Sequence, residues 1–147
     1  MSQDMMDRFH IEKLSPEQWR KLSKDVHLVA FHEVSDPAED RIDYALLIVD
    51  RQTPAGYMTV KEMDGGTAYL QHGGAFPNHA GTVHAFRQYS VAIKELSAQY
   101  DYIWTRIENT NTAMIKMALN VGFVINGTYF HEPKLYLELL MDCTGFY

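Results

Sequence analysis

The stretch Asn111-Thr-Ala-Met-Ile-Lys-Met-Ala-Leu-Asn-Val-Gly122-Phe123 follows one strand-like run and leads directly into two more. Before it, Tyr102-Ile-Trp-Thr-Arg-Ile107 is rich in β-branched and aromatic residues, the composition of a central strand packed on both faces or nearly so. Asn109-Thr-Asn-Thr112 offers side-chain oxygens that can cap a helix. Met114, Ile115, Ala118, Leu119 and Val121 then fall close to a helical spacing. Gly122 stands where a left-handed backbone can end a helix with little strain, and Phe123-Val-Ile125 opens a new strand at once. The segment reads strand, helix, strand.

Working outward, two C-terminal strands are expected over Phe123 to Phe130 and Leu135 to Met141, joined through His131-Glu-Pro-Lys134. Upstream, Val83 to Tyr100 predicts a long helix with Phe86, Tyr89, Ile93 and Leu96 on one side. Three strands precede it: Tyr44 to Val49, Gly56 to Met63, and Thr67 to Phe76, the last two joined by the hairpin signal Asp64-Gly65-Gly66. Ser15-Pro16-Glu17-Gln18 reads as a capping box with Pro at the first helical position, predicting a helix from Pro16 to about Val26. A short element of open type follows over His27 to Val34 and is broken by Ser35-Asp36-Pro37. The order is helices, a three-strand meander, helix, strand, helix and two strands. That is a mixed α+β pattern, with a ferredoxin-like or other small α+β domain left open by pattern alone.

A chain of 147 residues fits one domain, residues 1–147, with 46% hydrophobic and 22% charged residues. No apolar run approaches the ~20 residues of a membrane span, and the N-terminus lacks a basic start followed by an apolar core. A cytoplasmic protein with no membrane partner is therefore expected. The lone Cys143 cannot form an internal disulfide. A formal charge of −6, with no basic stripe, argues against nucleic acid as a partner and mildly favours cationic substrates.

The late region resembles the GCN5-related N-acetyltransferase superfamily, in which a Gly-Phe pair heads a strand eleven places after an Asn. Asn111, Gly122 and Phe123 fit that register. Upstream, Pro77-Asn-His-Ala-Gly81 is similar to the start of the family's pyrophosphate loop, a Pro followed after three residues by its first glycine. The family's basic or Gln residue falls on Ala80, and its second and third glycines fall on Val83 and Ala85. The resemblance spans residues 40 to 142 by element order, and the Tyr-rich, His-rich strands look like divergent phage-type members. It implies a central, mostly antiparallel twisted sheet of six to seven strands flanked by about four helices. It also implies an enzyme that moves an acetyl group from acetyl-CoA to a primary amine by direct attack, needing no metal and leaving a homodimer open.

By the same resemblance, the third meander strand and the helix after it splay from the late central strand, and acetyl-CoA enters the gap. Asn78, His79, Ala80, Gly81, Thr82 and Val83 would cradle the pyrophosphate through backbone N–H groups, favoured by the helix dipole. Gly74, Ala75 and Phe76 would lie beside the cofactor, the Gln71 to Ala75 backbone would polarise the thioester carbonyl, and Asn111 would position the CoA. Amine acetylation needs a base, and His72 or Glu62 is expected to supply it, with Glu33 behind them. The family's thiolate-protonating Tyr falls on Ala118, which leaves Tyr129, Tyr136 and Tyr89 as substitutes. Asp36, Glu39, Asp40 and Asp43 form an acidic group suited to a cationic acceptor or to a solvated loop, and Tyr57, Tyr69, Phe76 and Phe86 suit either a channel lining or a core. The spacing of His72, His79 and His84 fits no standard metal cluster. The eroded glycines and the absent Tyr point to an alternative, a domain of this fold that has lost turnover and serves as a structural or binding module.

Overall fold

Apolar runs and turn chemistry account for most of the elements in the computed structural model, which describes residues 8–22, 42–76 and 83–145. The strands are β1 (Phe9–Leu14), β2 (Tyr44–Asp50), β3 (Thr53–Met63), β4 (Thr67–Ala75), β5 (Tyr102–Glu108), β6 (Val124–His131) and β7 (Lys134–Asp142). Helix α1 covers residues 16–22, α2 is Val83–Ser97 and α3 is Thr112–Val121. The strands form one seven-stranded sheet in the order β1-β2-β3-β4-β5-β7-β6. Every neighbouring pair is antiparallel except β4 and β5, which run parallel. This is the mixed, mostly antiparallel architecture expected from the sequence, with three helices among the described residues. The expected element over 27–34, the end of the first helix, the loop 77–82 and the acidic residues Asp36, Glu39 and Asp40 lie outside them.

The N-terminal strand is a finding. Phe9-His-Ile-Glu-Lys-Leu14 pairs along its whole length with β2, and Arg8 beside it holds Asp50 at 2.6 and 2.8 Å. The strand β3 also begins three residues earlier than the sequence suggested, at Thr53. Pro54 is tolerated because it pairs with Val49 at a register shift, where a missing N–H costs no ladder bond.

The sheet buries both faces. On one, Leu46, Met58, Leu70, Ile103, Ile107 and Leu139 pack under α2 and α3, which contribute Tyr89, Ile93, Leu96 and Ala118. On the other, Trp19 from α1 packs with Leu47, Val49, Tyr57 and Phe76. The Trp19 ring stacks on Tyr57 with centroids 4.9 Å apart, and Tyr57 in turn faces Phe76 at 6.2 Å. The capping box at the head of α1 closes as expected: Gln18 N–H donates to Ser15 Oγ at 3.1 Å and Ser15 N–H to Gln18 Oε1 at 2.8 Å.

Candidate active site

The parallel seam between β4 and β5 is short. Thr67, Ala68, Tyr69 and Leu70 pair with Tyr102, Ile103, Trp104 and Thr105, and there the pairing stops. Beyond it, β4 runs on to Ala75 paired only with β3, while β5 runs on to Glu108 paired only with β7. Each strand is held on its outer side as the inner edges part, so among the described residues the edge of β4 over residues 71–75 meets no strand on the β5 side, a gap in the ladder.

Two threonine hydroxyls fix the place where the strands separate. Thr105 Oγ1, buried, donates to the Leu70 carbonyl at 2.9 Å and satisfies the last β4 group on the β5 side. On the other side, the register of β4 against β3 slips between Leu70 and Gly73, so that Gln71 and His72 together oppose the single residue Thr59. The Thr59 hydroxyl accepts from His72 N–H at 2.9 Å and donates to the His72 carbonyl at 3.4 Å. The bulge is thereby pinned by a fully buried side chain, and His72 stands half-buried beside the gap. Gln71 Oε1 is buried with no hydrogen-bond partner, a second polar group held at the point of parting.

Helix α2 is locked against the far end of β4. Buried Gln88 donates through Nε2 to the Ala55 carbonyl at 3.0 Å, and the same carbonyl accepts from Phe76 N–H at 2.9 Å. Gly56 makes that approach possible, because a Cβ there would run into the Gln88 side chain and lie 2.7 Å from the Gly74 carbonyl. The head of α2, at exposed Val83, follows the cradle residues Asn78 to Thr82, which lie outside the described residues. Among the expected cofactor residues, Gly74 and Ala75 border the gap half-buried, whereas Phe76 turns into the aromatic core.

Helix α3, which follows β5, is capped from within the group 109–112 that the sequence offers. Asn111 Oδ1 accepts from Met114 N–H at 3.3 Å, and Gly122 takes φ 119° with its N–H bonded to the Ala118 and Leu119 carbonyls. Asn111 is exposed at the head of the helix. Ala118 is fully buried against the sheet, and Tyr89 is buried with its hydroxyl unpartnered. Tyr129 and Tyr136 lie opposite each other on β6 and β7, on the face away from α3.

The two expected bases are not brought together. Glu62 sits beside the 64–66 turn, opposite Ala68, at the closed end of the sheet. Its carboxylate accepts the Tyr100 hydroxyl at 2.8 Å, that hydroxyl meets Tyr44 Oη at 2.6 Å, and Glu62 N–H donates to Asp43 at 2.6 Å. Burial and the shared hydrogen bonds hold Tyr100 well above the usual tyrosine range. Sequence reasoning missed this network and a second one on the face of the sheet opposite α3. There Arg106 bonds Glu138 at 3.1 Å and lies 3.8 Å from the Tyr129 ring centroid, with Trp104 stacked on Tyr69 at 4.1 Å. Alternation along β5 was the available signal for that row, since Ile103, Thr105 and Ile107 point to the core and leave Trp104 and Arg106 opposite. Among the described residues no three His, Cys, Asp or Glu side chains gather as a metal-binding group, and no helix is long and apolar enough to cross a membrane.

No protein-family model matches the chain, and no curated protein matches it by sequence. Solved structures do match. A ribosomal-protein alanine N-acetyltransferase from Escherichia coli superposes with TM-score 0.74 at 12% identity, over 92% of this chain and 94% of that one. A spermidine/spermine N-acetyltransferase from Vibrio cholerae gives 0.70 at 14%, covering 95% of both chains. A Salmonella typhimurium protein solved with acetyl-CoA gives 0.64 at 15%, over 92% and 94%. At such identities the likeness establishes the fold.

Proposed function

We propose that this chain, whose fold is that of the GCN5-related N-acetyltransferases, is a cytoplasmic enzyme of one domain that moves an acetyl group from acetyl-CoA to a primary amine by direct attack. The observation that carries the reading is the parting of β4 from β5 after Leu70, pinned by Thr105 on one side and by the Thr59 bulge on the other. An opened strand edge offers backbone N–H groups to a thioester carbonyl. The neighbouring protein solved with acetyl-CoA supports this choice of donor.

In this reading the pantetheine arm lies in the gap beside Gly74 and Ala75, and the pyrophosphate lies over residues 78–83 at the head of α2. Asn111 reaches the CoA from the opposite wall. His72, rather than the hydrogen-bonded Glu62, takes the ammonium proton, which frees the nitrogen lone pair to attack the thioester carbon. The C–N bond forms, the oxyanion is held by the β4 edge, and the C–S bond then breaks as the remaining ammonium-type proton on the nitrogen passes to the departing thiolate, giving the amide and the CoA thiol. Holding amine and thioester in one gap supplies most of the acceleration, for which oriented reactants contribute roughly 7–11 kcal/mol. The acceptor is an amine, as in the spermidine-acetylating neighbour, and the formal charge of −6 attracts a cationic one. No metal or nucleic acid takes part.

Isothermal titration with acetyl-CoA and with CoA tests the reading, since binding is required whatever the acceptor. A dissociation constant on the order of micromolar is expected. The variant His72→Ala should bind equally well yet turn over at least about 100-fold more slowly. No heat at about 1 mM ligand would instead favour a structural or binding module. Buried Ala118 and exposed Val83, at the family's Tyr and glycine positions, are the observations on that side.

A further inference from the structure

The buried positions of α2 are Ala85, Gln88, Tyr89, Ala92, Ile93 and Leu96, a stripe at helical spacing in which Gln88 is the one amide. Burying an amide costs free energy that its hydrogen bonds only roughly offset, so an apolar side chain at 88 would hold the core about as well. What the amide adds is a fixed point. Its Nε2 donates to the Ala55 carbonyl at 3.0 Å. Ala55 is unopposed on β2, lying between the pairs Ile48–Gly56 and Val49–Pro54, and its carbonyl serves the other side of β3, where it also takes Phe76 N–H at 2.9 Å. The start of β3, the residue after β4 and helix α2 therefore meet at one oxygen. The neighbouring Gly56 leaves room for this, since a Cβ there would run into Gln88 Oε1. A helix held by apolar contacts alone can slide a little over the sheet beneath it, and one tied by a buried hydrogen bond cannot.

We propose that Gln88 is a positioning residue for the CoA thioester, setting the separation between the open edge of β4 and the head of α2. The inference rests on the acyltransferase reading, in which one ligand must meet both places at once. Gly74 and Ala75, on that edge, stand two and one residues before Phe76. Val83, at the helix head, stands five residues before Gln88, about 7.5 Å of helix. Both places are thus close along the chain to the groups that share the Ala55 oxygen, and the shared oxygen ties one to the other. A ligand whose two ends are joined by a short linker gains affinity by meeting two subsites at their fixed spacing, and loses it when the spacing drifts. Gln88 is 4% exposed and acts through that spacing, not by touching the ligand.

Isothermal titration of Gln88→Leu with acetyl-CoA, set beside its urea midpoint, separates positioning from packing. The substitution strands no carbonyl, because Ala55 still accepts from Phe76 N–H, so the midpoint should stay close to that of the wild type. The dissociation constant for acetyl-CoA should nevertheless rise at least about 10-fold. Gln88→Met keeps the unbranched shape, should behave in the same way, and serves if Gln88→Leu does not fold. Leu96→Ala, at the other end of α2, is the converse: it should lower the midpoint yet leave the affinity, measured below its unfolding range, as in the wild type. Folded Gln88 variants that bind acetyl-CoA as tightly as the wild type would overturn the assignment. So would an affinity that falls in step with stability in Leu96→Ala as well, since Gln88 would then be one more core residue. A wild-type chain that binds no acetyl-CoA removes the acyltransferase reading itself, and the assignment with it, before any variant is compared.

Discussion

Thr105 Oγ1 reaches the Leu70 carbonyl in a buried setting at the last pair of the β4–β5 seam, so no solvent replaces it if it is removed. The substitution Thr105→Val keeps the shape and the β-branch but strands that carbonyl, at a cost of about 1–3 kcal/mol. The midpoint of urea denaturation should fall accordingly, and acetyl-CoA affinity should fall with it, because the site of parting loses its fixed edge. Unchanged stability would mean that the hydroxyl does not fix the seam. Neither this role nor that of Thr59 is legible in sequence. Both residues read as ordinary strand formers, and the partners that give their hydroxyls a purpose lie 35 and 13 residues away. His72 was legible as a residue type suited to proton transfer, whereas its place on a bulge depends on the register of two strands.

At the scale of elements, local signals were read well and distant ones were not. Helix α3 begins within the group Asn109 to Thr112 and ends at Gly122, as expected, since capping chemistry lies within a few residues of the cap. Replacing Asn111 by Ala should cost about 1 kcal/mol of stability by leaving Met114 N–H without its acceptor. If Asn111 also holds CoA, affinity measured below the unfolding range should drop as well; a change confined to stability would restrict the residue to its cap. Strand β1 escaped notice although Phe9 and Ile11 alternate with His10 and Glu12. The strong helix start at Ser15-Pro16 dominates that region, and six residues alone cannot reveal that they pair with β2. Glu62 looked like a candidate base from its strand position. Only the fold shows that its carboxylate serves Tyr100 at the closed end of the sheet.

For the whole molecule, burial of phenols makes stability depend on alkaline pH. Tyr57 and Tyr89 are buried, and burial raises both above the ordinary value of 10.0. An unfolded tyrosine releases its proton near that value, while these two keep theirs in the folded chain. Above about pH 10 the folded state therefore binds more protons, and stability falls as pH rises, by up to about 1.4 kcal/mol per pH unit for each residue. Below pH 10 the two contribute no slope. Urea midpoints measured from pH 8 to 11.5 should show that decline, and Tyr89→Phe should make it shallower; a decline of the same steepness in the variant would assign the effect to other groups. The overall architecture was legible because apolar runs, turns and caps agree along the chain. The candidate site was legible only in outline, because it exists where two neighbouring strands stop being neighbours.

Strand order also sets a timetable for synthesis. As the chain is made, β1 to β4 can pair one after another, each beside the strand made just before it. The later strands cannot, because β7 is made after β6 yet lies between β6 and β5. Until residues 134–142 have left the ribosome, β5 lacks one neighbour and β6 has nowhere to attach. A nascent chain stalled just short of that point has β1 to β5 in order and β6 unpaired, with the core side chains of β5 open to whatever holds them until the last strand slides in.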